Sequence, residues 1–107
     1  MDTKKYNIIV TETCQKEIKQ IYDYIYNNLY ADKAAKRLMG KVEKSIKDLK
    51  HFPYIHSMIK SKYKNVKENY RRMIINNYVI LYLIDEDEKN IYISHMFYSK
   101  SNYLKKI

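Results

Sequence analysis

Side chains suited to phosphoryl chemistry fall in the last third of the chain. Arg71 and Arg72 could balance the charge that develops on a phosphorane, and His95 could act as a general acid or base, because histidine is the residue type intrinsically suited to that role near neutral pH. Tyr98 could donate a proton or stack on a base, and Lys100 could hold a phosphate. Metal-free RNA cleavage is therefore chemically open. Because side chains alternate along a strand, only one arginine should face such a site, and we favour Arg71.

Each of these residues also has an ordinary structural explanation. A histidine in a strand is commonly a satisfied structural residue, and with 13 tyrosines in the chain any single one is weak support for a site. Other chemistries fit less well, because Gly40 is the only glycine and Cys14 the only cysteine, while His51 and His56 do not share a helical face. The sequence predicts no metal ion and no other cofactor.

A dense basic segment precedes the two arginines. Its lysines alternate in part, which would place them on one side of an extended segment, and Tyr63 and Tyr70 between them could stack on bases. The alternative is a solubilising loop that protects a sheet edge from aggregation. We favour nucleic-acid or target binding, because the charge is dense and of one sign. The lysines are Lys60, Lys62, Lys64 and Lys67.

The overall charge points to a polyanionic or acidic partner. Lys and Arg total 21 against 12 Asp and Glu, a formal net charge of +9. Such a field attracts RNA, DNA, a ribosome or an acidic protein.

The run Ile8–Val10 is too short for a signal peptide or a membrane span, and the lone Cys14 favours a reducing compartment, so we expect a cytoplasmic protein. The length of 107 residues fits one domain, residues 1–107.

The segment from Asn69 to Tyr98 is predicted to form a three-stranded antiparallel meander. It is rich in Val, Ile and Tyr, which suit a half-buried sheet. Asn76-Asn77 forms a tight turn between the first two strands, and an acidic turn at Asp85–Asn90 precedes the third. A short strand at Tyr6–Val10 comes earlier in the chain.

Two amphipathic helices should cover one face of this sheet. Thr11 or Thr13 can cap the first helix and Asp32 the second, which should end before Pro53. We therefore predict an α+β fold, with an N-terminal antiparallel helical hairpin packed on an antiparallel β-sheet. The apolar stripes are Ile18, Ile21, Tyr22, Ile25 and Leu29 in the first helix, and Ala35, Leu38, Met39, Val42, Ile46 and Leu49 in the second.

An ordered set of short motifs extends over nearly the whole chain. They are Tyr6–Val10, Ile21–Ile25, Ala34-Ala35, Leu49–Pro53, Tyr70–Arg72, Asn77–Tyr82, Ile91–Ile93 and Phe97–Tyr103. At these spacings the chain resembles the RelE/ParE superfamily of toxins from type II toxin–antitoxin modules. The resemblance implies two helices on a twisted antiparallel sheet with a short C-terminal segment. It also implies a cognate antitoxin, whose acidic segment would complement the charge of +9. Tyr103 joins the lysines as a candidate for target binding.

Within this superfamily the resemblance leaves two targets open. RelE-like members cleave ribosome-bound mRNA with basic sheet residues, whereas ParE-like members inhibit DNA gyrase by binding. Val79 and Met73 stand where RelE-like members carry Arg or Lys, so we expect a ParE-like inhibitor of gyrase. The alternative is a ribosome-dependent mRNA endoribonuclease. A third reading is an inactive relative that binds DNA or an antitoxin.

Overall fold

The computed structural model describes residues 5–59 and 69–107, so the calls on Lys60, Lys62, Lys64 and Lys67 lie outside the described residues. One strand and a helical pair precede three further strands and a short C-terminal 3₁₀ helix. The elements are β1 (Asn7–Val10), α1 (Glu12–Asp23), a π-helical turn (Tyr24–Asn28), α2 (Asp32–Leu49), β2 (Arg71–Ile75), β3 (Tyr78–Asp85), β4 (Asn90–Tyr98) and the 3₁₀ helix (Tyr103–Lys105).

The strands form one sheet in the order β1-β4-β3-β2. β2, β3 and β4 form the predicted antiparallel meander, and the α+β fold with a helical pair on the sheet is confirmed. β1 is the exception to the antiparallel pattern, since it lies parallel to β4 with Ile8 opposite Ile91. Parallel strands need a crossover connection between them. Here the chain crosses from β1 through the two helices to the far edge of the sheet, which allows β4 to pair in parallel with β1.

The tight turn between β2 and β3 occurs where the sequence predicts it. Ile75 pairs with Tyr78, leaving Asn76 and Asn77 as a two-residue connection. Asn76 has φ 52°, a conformation that asparagine tolerates better than most residues. This turn fixes the register of β2 against β3, and so decides which β2 side chains face the helices.

The two helices begin differently. The Thr11 hydroxyl caps α1 by accepting the Cys14 N–H at 3.1 Å, as one of the two predicted caps. The predicted capping role of Asp32 is wrong, because Ala31 occupies the N-cap position and makes no side-chain cap bond. Asp32 already belongs to the helix, and its carboxylate lies 3.4 Å from Lys36 Nζ one turn later.

The helices and the sheet enclose the main core on one face, which we call the helical face. Its buried side chains come from both helices, the π-helical turn and alternate positions of the strands, as the apolar stripes predict. Leu29, the last residue of the first predicted stripe, is the exception, since it is 54% exposed. The opposite face, the tail face, carries a smaller cluster in which Val79 and Leu81 are covered by Tyr103. None of the helices among residues 5–59 and 69–107 is long and apolar enough to cross a membrane.

Candidate functional site

Arg71 and Arg72 lie on opposite faces of the sheet. Arg71 alternates with Met73 and Ile75, whose side chains are buried on the helical face, whereas Arg72 lies opposite Leu81 on the tail face. The alternation expected from the sequence therefore places the two guanidinium groups on opposite faces. A site on one face can use only the arginine on that face.

Arg71, the arginine that the sequence analysis favours, holds the loop after α2. Its Nη1 donates to the carbonyl of His56 at 2.6 Å, and its Cζ lies 4.9 Å from the centre of the Tyr54 ring. The neighbouring Tyr82 hydroxyl donates to the carbonyl of Pro53 at 2.8 Å, and burial raises the pKa of Tyr82 to about 12. Burial also lowers the pKa of His56. Arg71 is thus engaged in positioning residues 53–56.

A β-bulge brings His95 to the tail face. Tyr82 pairs with Ile93 but the preceding Leu81 pairs with His95, so Ser94 is an extra residue in β4. Strict alternation would have left His95 on the helical face beside Ile93. Instead Arg72, Leu81 and His95 form one row across three strands, and the Cα atoms of Arg72 and His95 are roughly 10 Å apart, or two strand spacings.

Glu17 of α1 orients His95. Its two carboxylate oxygens lie 3.2 and 3.3 Å from His95 Nδ1, and one of them also accepts the N–H of Met96 at 3.1 Å. A carboxylate accepts, so Nδ1 carries the proton in this contact. The edge of β4 is not paired with β1 here, because β1 ends opposite Ile93. Glu17 therefore covers this part of the β4 edge and also holds the imidazole ring of His95 in place.

Aromatic rings stack next to His95. The His95 ring lies 5.1 Å from that of Phe97 at an interplanar angle of 16°, and Phe97 lies 5.9 Å from Tyr103, also at 16°. Arg72 Nη1 donates to the Tyr103 hydroxyl at 3.3 Å, and Lys106 Nζ lies 5.7 Å from the centre of the Phe97 ring. Tyr103 is only 8% exposed, so it holds the tail against the sheet.

Tyr98 and Lys100 do not join His95 on the tail face. Tyr98 follows Met96 on the helical face, where its ring meets that of Tyr78 edge-on at 6.0 Å and is 45% exposed. Lys100 is exposed in the turn after β4, where Ser101 N–H donates to the Tyr98 carbonyl at 2.9 Å. Of the five candidate catalytic residues, the fold thus brings Arg72 and His95 to the tail face, and Arg71 and Tyr98 to the helical face.

The acidic turn between β3 and β4 has contacts that its sequence does not reveal. Glu86 accepts the hydroxyls of Tyr6 at 2.7 Å and Tyr54 at 3.0 Å, and Lys89 Nζ at 2.6 Å. The hydrogen bond from Lys89, followed by that from Tyr6, lowers the pKa of Glu86. Desolvation and then the bond to Glu86 raise the pKa of Tyr6. This turn therefore ties β1 and the Tyr54 loop to the sheet.

Sequence reasoning missed Glu17, Lys106 and the Glu86 cluster. The contact of Glu17 with His95 joins positions 78 residues apart. No local pattern signals a contact of that separation. In the described parts of the chain, no group of three or more His, Cys, Asp and Glu is placed to hold a metal ion.

Comparison with known proteins agrees with this architecture. No curated protein sequence matches the chain significantly. The fold is similar to a structure described as the chromosomal ParDE toxin–antitoxin system from P. aeruginosa, with a TM-score of 0.70 and 13% identity over 92% of this chain and 100% of that one. It is also similar to the RelBE2 toxin–antitoxin complex from Mycobacterium tuberculosis, with a TM-score of 0.64 and 14% identity over 88% and 98% of the two chains.

A more distant likeness is to a metal-bound toxin from Helicobacter pylori, with a TM-score of 0.52 and 12% identity over 85% and 91% of the two chains. The structural likenesses, at identities of 12–14%, bear on the fold alone. The family is shown by sequence, since the family model for the ParE toxin of the type II toxin–antitoxin system parDE matches residues 8–103. The chain therefore belongs to the ParE toxin family of type II toxin–antitoxin systems.

Proposed function

We propose that this protein is a growth-inhibiting toxin that binds DNA gyrase without carrying out a chemical step, and that a cognate antitoxin neutralises it. The observation that carries the proposal is the match to the ParE toxin family over residues 8–103. The resemblance noted in the sequence attributes gyrase binding to ParE-like members.

The arrangement of the candidate catalytic groups supports binding over catalysis. Acid–base catalysis needs the acid, the base and the charge-stabilising group within hydrogen-bond reach of one substrate. Here Arg71 and Tyr98 lie on the helical face and His95 on the tail face. Nδ1 of His95 is also engaged by Glu17, and the guanidinium of Arg71 by His56.

An aromatic cleft is the surface we assign to the target. It measures about 650 Å³ and lies between the end of α1 and the β2–β3 turn, where Tyr24, Leu29, Tyr78 and Tyr98 line it. Leu29 is 54% exposed and Tyr24 53%, and the nearby Tyr30 is 91% exposed. Exposed aromatic side chains around a concave surface are typical of binding hot spots, because they bury much area at little entropic cost.

An antitoxin partner follows from the same family. The similar structures from P. aeruginosa and M. tuberculosis are described as a toxin–antitoxin system and a toxin–antitoxin complex. With a net charge of +9, this chain would associate fastest with an acidic partner, which also raises specificity.

A supercoiling assay tests the gyrase proposal. Purified protein should inhibit gyrase-dependent supercoiling of relaxed plasmid, and induced expression should cause filamentation and DNA damage. Leu29→Ala should weaken inhibition about tenfold or more, since it removes an exposed apolar group from the cleft. Ile9→Ala is the matched control, because Ile9 is 38% exposed on β1 and does not line the cleft. Folded protein that leaves supercoiling unaffected contradicts the proposal.

The row formed by Arg72 and His95 supports a second candidate function, ribosome-dependent mRNA cleavage. These two side chains lie on one face about two strand spacings apart, with Tyr103 and Lys106 near them. An endoribonuclease would arrest translation at once and cut mRNA within codons. In that case Arg72→Ala and His95→Ala would abolish cleavage, whereas Leu29→Ala would leave it unchanged.

A further inference from the structure

The positive charge of the helical pair lies mainly on α2. This helix has six basic and three acidic residues, whereas α1 has two basic and three acidic ones. Both lysines of α1 lie one turn from a carboxylate. The distance is 3.6 Å from Lys16 Nζ to Glu12 and 2.7 Å from Lys19 Nζ to Asp23. The exposed face of α1 is therefore balanced in charge, and that of α2 is not.

Five cations of α2 share the middle of its exposed face. At 3.6 residues per turn they fall in a band about 100° wide, opposite the buried Leu38, Val42 and Leu49. The three acidic residues of the helix lie outside this band, and Gly40 lies at its centre. All the positions in the band are exposed. We call it the basic strip, and it consists of Lys33, Lys36, Arg37, Gly40, Lys44 and Lys47.

Most cations of the basic strip have no acidic partner in the protein. Lys36 Nζ lies 3.4 Å from the carboxylate of Asp32, which is outside the strip. Among the described side chains, the other four cations form no ion pair. From Lys33 to Lys47 the strip is about 21 Å long, the length of roughly six base pairs of duplex DNA. Unpaired charge of one sign over this length attracts a polyanion.

The glycine at the centre of the basic strip is unexplained by packing. Gly40 is the only glycine in the chain, and glycine destabilises a helix interior relative to alanine because it loses more backbone freedom on folding. A Cβ at this position would meet no described atom within 4 Å beyond the backbone of its own helix. The fold therefore has room for a side chain here, and what glycine provides is a close approach to the helix backbone from outside.

The composition of α2 narrows the class of polyanion. The helix contains no aromatic residue, although the chain has 13 tyrosines, and proteins that bind single strands stack bases on aromatic rings. The basic strip also has no apolar side chain, whereas protein interfaces are depleted in lysine at their core. A helix about 10–12 Å across fits the major groove of B-form DNA, about 12 Å wide, but not the narrow, deep groove of an RNA duplex.

We propose that the basic strip binds the phosphate backbone of duplex DNA, with α2 lying in the major groove. Lys36 and Lys47 on one side of the strip contact phosphates of one groove wall. Arg37 and Lys44 on the other side contact the opposite wall, and Gly40 faces the groove floor. Phosphate contacts carry no sequence information, so binding is independent of sequence and weakens with salt. The proposal does not rest on gyrase binding, since the aromatic cleft is lined by other residues.

DNA binding by two variants of equal charge tests the strip. The probe is a fluorescein-labelled duplex of about 20 base pairs, followed by anisotropy over a series of salt concentrations. The strip variant should bind at least about tenfold more weakly, with a plot of log K against log salt about three units shallower, whereas the control variant should keep the slope of the unaltered protein. The strip variant combines Lys33→Gln, Arg37→Gln and Lys44→Gln. The control variant combines Lys5→Gln, Lys16→Gln and Lys19→Gln, at exposed positions outside the strip.

Gly40 gives a second measurement that needs no variant. Glycine-selective ¹⁵N labelling yields one amide signal, because the chain has one glycine, and this signal should shift as the duplex is added to the unaltered protein. Gly40→Gln should weaken DNA binding severalfold, because its side chain would stand between the helix and the groove floor. Its Tm should not fall, since glutamine is a better helix former than glycine.

Equal loss of binding in the strip and control variants overturns the proposal, because net charge alone would then account for binding. A Gly40 signal that stays in place at saturating duplex also overturns it, and so does an unaltered protein that does not bind the duplex. Single-stranded DNA or duplex RNA of the same sequence that binds as tightly as duplex DNA shows that the ligand class is wrong. No gyrase is present in these measurements, so their failure leaves the proposed target untouched.

Discussion

Replacing Glu17 should reveal how much the contact between α1 and the edge of β4 contributes to stability. The Glu17 carboxylate accepts the Met96 N–H at 3.1 Å and lies 3.2 Å from His95 Nδ1. It is 19% exposed, and His95 is 16% exposed. Glu17→Ala leaves a backbone donor at the sheet edge without its acceptor and frees the imidazole ring.

Hydrogen bonds to a charged group contribute about 1.5–3 kcal/mol each, and water reaching the partly exposed edge would replace some of this. We expect Glu17→Ala to cost about 2 kcal/mol of unfolding free energy, which corresponds to a fall of roughly 8–16 °C in Tm for a domain of this size. Glu17→Gln retains an acceptor for Met96 and should cost about half as much.

Glu12→Ala is the matched control in the same helix. Its carboxylate is 85% exposed and lies 3.6 Å from Lys16 Nζ, so its loss should cost about 0–0.5 kcal/mol. Unfolding followed by circular dichroism in urea measures all three variants, and a double-mutant cycle with His95→Ala isolates the contact between the two side chains. A Glu17→Ala protein within about 0.5 kcal/mol of the Glu12→Ala protein would refute this account.

Three further predictions concern the core and the arginines. Tyr82→Phe removes the buried hydrogen bond to the Pro53 carbonyl and should cost about 1–2 kcal/mol, whereas Tyr98→Phe, at a half-exposed site, should cost under about 0.5 kcal/mol; denaturant unfolding compares them. Burial raises the pKa of Cys14 from 9.0 to about 12, so the unfolded thiol ionises first. The contribution of the neutral thiol to stability should therefore be fully present below pH 9 and be lost as the pH rises from 9 towards 12. Stability should fall less steeply over this range in Cys14→Ala, and a Tm of the unaltered protein that does not depend on pH there contradicts the assignment. Arg71→Ala should lower Tm more than Arg72→Ala, because it removes the donor to His56, and scanning calorimetry showing the reverse order would contradict the roles given to the two faces.

Much of the fold was predictable because its signals are local. The apolar stripes of both helices and the Val- and Ile-rich strands reflect periods of 3.6 and 2 residues, which need only neighbouring positions to be read. The turn at Asn76 follows from the backbone conformation that asparagine tolerates. The cap of α2 was misassigned at Asp32, because a one-residue shift in a helix start leaves no clear mark in the sequence.

The site was less predictable, because its contacts join distant parts of the chain. The sequence supplied Arg71, Arg72 and His95 as candidates and required that the two arginines alternate. Only the tertiary structure decided that Arg72 shares a face with His95, since one extra residue in β4 reverses the side on which His95 lies.

By itself, then, the sequence determined the element types, the two-faced sheet, the basic charge and the family, each of which depends on residue order or on composition. The tertiary structure decided the parallel pairing of β1 and the contact between His95 and Glu17. These depend on how the chain crosses over itself, and the physical reason is that a contact between residues 78 positions apart is fixed by packing and register rather than by any local preference.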